Sequence, residues 1–114
     1  MITIYHNPRC RKSREGLAIV TASNAPYEVV EYLKNELSAS QISELLSKLD
    51  MSAIDLVRKG ETIWKEQYKG RQLSEQQIIE AMATHPKLIE RPIVVKGDKA
   101  VVGRPPETIA VLLD

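Results

Sequence analysis

Ile2-Thr3-Ile4-Tyr5-His6 alternates apolar and polar side chains, halts at Asn7-Pro8, and gives way to a helical pattern running from about Cys10 to Ala22. Leu17 and Val20 fall on one face of that helix, and Asn24-Ala25-Pro26 ends it. Tyr27-Glu28-Val29-Val30-Glu31-Tyr32 then reads as a second strand. Connections this short leave the chain little freedom: the crossover is right-handed and the two strands are parallel neighbours.

From about Leu37 to Leu88 the pattern is helical. Ser38 with Gln41 and Ser74 with Gln77 have capping-box spacing, and the pairs Leu37/Ile42 and Leu73/Ile78 are placed as hydrophobic staples. Ser52 is set to cap a short helix reaching about Arg58, with Gly60 ending it. Glu61 to Arg71 reads as one or two helical turns around Trp64 followed by a turn at Gly70, and His85-Pro86 breaks the last helix of the group. Ile93-Val94-Val95-Lys96 and Lys99-Ala100-Val101-Val102 flank Gly97-Asp98, the signature of an antiparallel hairpin. Pro105-Pro106-Glu107 opens a final helix that turns Ile109, Leu112 and Leu113 toward the sheet. The order β-α-β, helical block, β-β-α is the plan of an α/β, thioredoxin-like fold: a mixed four-stranded sheet with a helical insertion between its second and third strands. That plan calls for a cis-proline just before the third strand, where Pro92 stands. No repeat, low-complexity stretch or linker interrupts the chain, and residues 1–114 read as a single domain.

The cysteine of this chain, Cys10, falls at the junction of first strand and first helix. Between Pro8 and Arg14 lie Arg9, Arg11, Lys12 and Arg14 and no acid. Unpaired amides and the positive end of a helix dipole stabilise an anion at this point, and neighbouring cations add to the effect. In such settings a cysteine pKa falls from roughly 8.5 into the range of about 3.5 to 7.5. The same donors suit a tetrahedral oxyanion beside the sulfur. Ser13 occupies the place of the second sulfur in a Cys-x-x-Cys pair, so an oxidised or adducted Cys10 needs an outside thiol to resolve it. Arg91 and Arg104 each precede a proline at the end of a sheet element and converge on Cys10 in this plan, where arginine suits the planar gripping of an oxyanion. Arg58 reads as an ordinary arginine. His6 either lowers the cysteine pKa or fills the strand end, Asn7 shapes the turn or acts directly in anion binding or sulfur activation, and Ser13 either donates to the thiolate or sits in the first helical turn.

Composition narrows the alternatives. Sixteen basic against fifteen acidic side chains give a net charge of +1, too balanced for a general nucleic-acid or membrane surface. No apolar run approaches the roughly 18 residues of a membrane helix, and no secretory signal pattern follows Met1. One cysteine rules out an internal disulfide and a cysteine-based metal site and fits a reducing, cytoplasmic setting. A Cys-x5-Arg phosphatase loop would need arginine where Gly16 stands, and no Walker loop, dinucleotide fingerprint or metal-spaced cluster is present.

Four stretches, His6-Asn7-Pro8-Arg9-Cys10-x-Lys12-Ser13-Arg14, Leu56-Val57-Arg58-Lys59, His85 to Val95, and Gly103-Arg104-Pro105-Pro106-Glu107, together resemble the glutaredoxin-coupled arsenate reductase (ArsC) family. The Arg104-Pro105-Pro106 version and an end at Asp114 resemble its short chromosomal members. The resemblance implies that Cys10 is the catalytic nucleophile, that Arg58, Arg91 and Arg104 bind the oxyanion and its reduced product, and that His6, Asn7, Ser13 and Arg14 tune the thiolate. It implies attack of Cys10 on arsenate, loss of water, attack by glutathione on the adduct with reduction of As(V) to As(III), and clearance of the glutathione by glutaredoxin. Glutathione is then a co-substrate, with no bound cofactor or metal, and the protein is expected as a monomer with no nucleic-acid or membrane partner. Arg11 departs from the small residue usual after the cysteine and would narrow the pocket or strengthen its hold on anions. Two other functions share the fold: an Spx-like regulator docking on RNA polymerase, which usually carries Cys-x-x-Cys, and a monothiol reductase of glutathionylated substrates.

Overall fold

In the computed structural model, which describes residues 1–113, the first strand β1 (Ile2–Tyr5) leads into helix α1 (Arg11–Ala22), and β2 (Tyr27–Val30) returns parallel to β1. Strands β3 (Ile93–Lys96) and β4 (Lys99–Val102) complete a four-stranded sheet of order β2-β1-β3-β4, with β3 antiparallel to both β1 and β4. Gly97, at φ 65°, supplies the left-handed residue that the tight β3–β4 loop requires. The β3–β4 hairpin and the parallel β1–β2 pair are those expected from the sequence, and the topology is the thioredoxin-like plan.

The residues group into two compact units: a sheet unit, Met1–Asn35 with the chain from Arg91 onward, and a helical unit, Glu36–Glu90. The sheet unit is built on Ile2, Ile4, Val20, Val94 and Ile109, with Leu17, Ile19, Val101, Leu112 and Leu113 packed around them. Ile2 and Ile4 alternate with half-buried Thr3 and Tyr5, as a strand with one face on α1 demands. A 3-10 turn (Pro106–Thr108) precedes α6 (Ile109–Leu113), whose first residue fills the core. Two glycines let these pieces close: a Cβ on Gly16 would stand 2.7 Å from Pro92 Cγ, and one on Gly103 would stand 2.8 Å from Ile109 Cδ1.

The helical unit comprises α2 (Ala39–Leu49), α3 (Ala53–Leu56), α4 (Thr62–Gln67), α5 (Glu75–Thr84) and a 3-10 turn (Pro86–Leu88). Both capping boxes form in full: Gln41 N–H donates to Ser38 Oγ at 3.1 Å and Ser38 N–H to Gln41 Oε1 at 2.8 Å, with the same two bonds between Ser74 and Gln77. Helix α3 is shorter than its sequence suggests. It ends at Leu56 because Val57 pairs with Ile89 in an isolated bridge, Arg58 N–H donates to Leu88 C=O, and Glu90 N–H donates to Leu56 C=O. Ser52 starts α3 without a side-chain cap, and the first amide, Ala53 N–H, goes instead to Glu75 Oε2 at 2.9 Å. Trp64 is buried and stacks on Tyr68, which meets His85 edge to face. Among the described residues no helix is long and apolar enough to cross a membrane.

Candidate active site

β1 delivers the chain to a turn that places Cys10 as the N-cap of α1, with extended backbone angles. Asn7 builds this turn. Its carbonyl accepts Cys10 N–H at 3.0 Å, its Oδ1 accepts Arg9 N–H at 3.0 Å, and its own N–H donates to Ser13 Oγ at 2.9 Å. Ser13 is fully buried, and its Oγ lies 2.7 Å from His6 Nδ1. Since Asn7 N–H already donates to that oxygen, giving the hydroxyl proton to Nδ1 leaves no group idle and assigns the ring proton to Nε2. Burial lowers the His6 pKa, against the opposing pull of Glu31 and of a hydrogen bond with Ser13, and Arg14 lowers it further. His6 is therefore neutral at pH 7. Arg14 Nη1 donates to the Pro8 carbonyl at 3.0 Å, tying the helix start to the turn.

Two arginines reach the sulfur from the far end of the chain. Arg91 and Arg104 each precede a cis peptide bond, Arg91-Pro92 and Arg104-Pro105; the first was expected and the second was not. Arg104 Nη2 donates to Cys10 Sγ at 3.4 Å while its Nε donates to the Arg91 carbonyl at 2.7 Å, so the guanidinium is held at both ends. Burial pushes the Cys10 thiol up, but the Ser13 amide, the Arg91 hydrogen bond and charge, and the Arg104 charge together hold it below its ordinary value. The hydroxyl of Ser13 is engaged elsewhere, so it is the backbone of that residue that acts on the sulfur. Nε of Arg91 is buried with no acceptor among the described residues.

The run of cations beside Cys10 plays a different part from the one its sequence suggests. Arg11 has a side chain 85% exposed and pairs with Glu15 at 3.2 Å, and Lys12 reaches the same carboxylate at 3.9 Å. These charges project into water, where screening weakens their effect on the thiol. Arg58 belongs to the helical unit, where its Nη1 lies 3.3 Å from Glu61 Oε2 and its Nε 3.2 Å from Glu90 Oε1. Neither carboxylate partner was read from the sequence. Nor was the packing of Gly16 and Gly103 that seats the Pro92 loop; a glycine one turn into an amphipathic helix was the available signal. Among the described residues no group of three or more His, Cys, Asp or Glu could hold a metal ion.

The family model for the ArsC family matches residues 5–112. The chain belongs to the ArsC family. Within it, this ArsC-family chain is 46% identical over 110 residues to the uncharacterised protein YfgD of Escherichia coli (strain K12), covering 95% of this chain and 92% of that one. It is 39% identical over 117 residues to the arsenate reductase of Haemophilus influenzae, covering 98% of both chains. The solved arsenate reductase from Vibrio cholerae superposes with a TM-score of 0.93 at 41% identity, over 96% of this chain and 95% of that one.

Proposed function

We propose that the protein is an arsenate reductase that works through a Cys10 thiolate and is recycled by glutathione and glutaredoxin. The observation that carries this reading is the sulfur at the head of α1 with Arg104 Nη2 at 3.4 Å and Arg91 bonded to it. Those groups favour a thiolate, and they leave donors beside it for a tetrahedral oxyanion, the orphaned Arg91 Nε among them.

In the proposed sequence Cys10 Sγ attacks arsenic, a sulfur–arsenic bond forms and one arsenate oxygen leaves as water after protonation. Glutathione thiol then displaces a second As–OH, again with loss of water, and arsenic(V) carries both sulfurs. A glutaredoxin thiolate attacks the glutathione sulfur. The glutaredoxin–glutathione disulfide forms and the electron pair of the broken sulfur–arsenic bond stays on arsenic, which becomes As(III). Water releases arsenite and returns the Cys10 thiol. The two thiols oxidised to a disulfide balance the two electrons gained by arsenic, and one cysteine in the chain suffices.

The test is arsenite formation from arsenate with glutathione and glutaredoxin, for wild type and Cys10→Ser. Wild type should turn over, and the variant should lose activity on the order of a thousandfold or more. Wild-type protein that forms no arsenite under these conditions, while still removing glutathione from a glutathionylated substrate, would replace this reading with a monothiol reductase.

A further inference from the structure

Beside the Cys10 turn lies an open groove of about 530 Å³, lined by Pro8, Arg14, Leu17, Ala18, Thr21 and Ala22 with His6 at its floor. Positions 14, 17, 18, 21 and 22 share one face of α1, and Cys10 stands at the head of the same stripe, one turn of about 5.4 Å before Arg14. Pro8, Ala18, Thr21 and Ala22 are exposed and Leu17 is half-buried. The apolar strip continues past Thr21: Tyr27 Oη lies 3.3 Å from Thr21 Oγ1, and Tyr27 and Val29 are exposed on the edge strand β2. Around the thiol end of the strip stand Arg9, Arg11, Lys12 and Arg14, all exposed, with Glu15 as the one acid between Pro8 and Ala22. These are the cations that leave the Cys10 thiolate to Arg91 and Arg104.

We propose that this face of α1 is the docking surface for the thiol protein that takes glutathione from the adduct on Cys10, a partner that presents acidic side chains around an apolar patch beside its own cysteine. The inference rests on the need for an outside thiol argued under the proposed function. Charge selects the partner: four solvated cations at the mouth of an apolar strip draw in an acidic surface and repel a basic one. Geometry aligns it, because a body seated on Pro8, Leu17 and Ala18 brings its rim to the sulfur at the end of the stripe.

The experiment uses the full chain carrying glutathione on Cys10 as a mixed disulfide, so arsenic plays no part in it. The rate of glutathione removal is measured with an acidic glutaredoxin and, separately, with dithiothreitol, for wild type, Arg9→Glu and Ala18→Glu. Neither substituted residue touches the sulfur. Each variant should slow removal by the glutaredoxin about tenfold and leave the dithiothreitol rate within about twofold, and added salt should slow the wild-type glutaredoxin reaction. Glutaredoxin rates unchanged in both variants, or dithiothreitol rates that fall in parallel, would overturn the proposal. Arsenite formation measured on the same wild-type protein reports separately on the arsenate reading.

Discussion

Three groups act on one sulfur, the Ser13 amide, Arg91 and Arg104, and only the first is close to it in sequence. The turn from Asn7 to Cys10 and the α1 N-terminus are local, whereas Arg91 and Arg104 arrive from the other end of the chain. Within the turn, the Ser13 hydroxyl joins Asn7 N–H to His6 Nδ1 in a buried network. Ser13→Ala should cost about 1 to 3 kcal/mol in urea unfolding, since both partners are left buried and unpaired, while the amide that faces the sulfur stays in place. A variant as stable as wild type would mean that this network carries no weight. The cysteine and its position at a helix head were legible in the sequence because strand alternation and the Asn7-Pro8 turn mark the spot. The source of its charge environment was only half legible. Arg91 and Arg104 were placed near the sulfur by fold plan, but Arg9, Arg11, Lys12 and Arg14 were weighted by proximity along the chain, and all four are exposed.

Helices with two-sided signals were read well. Ser38/Gln41 and Ser74/Gln77 form the reciprocal bonds that their spacing implies, because a capping box depends only on residues three apart. The end of α3 could not be read this way, since the Val57–Ile89 bridge that stops it joins positions 32 residues apart, a pairing with no local mark. The seating of α1 against the Pro92 loop is likewise a long-range fact. A methyl group on Gly16 meets Pro92 Cγ at 2.7 Å, and a proline ring has little freedom to yield. Gly16→Ala should therefore destabilise the fold by about 1 to 3 kcal/mol and, by shifting the residue after Arg91, lower turnover as well. Calorimetry and steady-state kinetics on the one variant check both. Unchanged stability with unchanged kinetics would show that α1 and the loop are less tightly fitted than these distances require.

Across the chain the charges nearly cancel, so the electrostatics that matter are local and depend on pH through two groups. His6 and Cys10 both have folded pKa values below their ordinary ones. For each, stability is fully present above the ordinary value and is lost as pH falls through the folded one, because there the unfolded chain binds more protons. For His6 the loss begins as pH drops below 6.5. Urea midpoints followed across that pH should fall more steeply for wild type than for His6→Gln, and parallel curves would show that the histidine titrates normally. The catalytic reading itself turns on the charge of the sulfur. Titration of Cys10 through its thiolate ultraviolet absorbance, in wild type, Arg91→Ala and Arg104→Ala, measures that charge. The wild-type midpoint should lie below the roughly 8.5 of free cysteine and move upward in both variants, whereas a wild-type midpoint at or above that value would contradict a thiolate held by Ser13, Arg91 and Arg104.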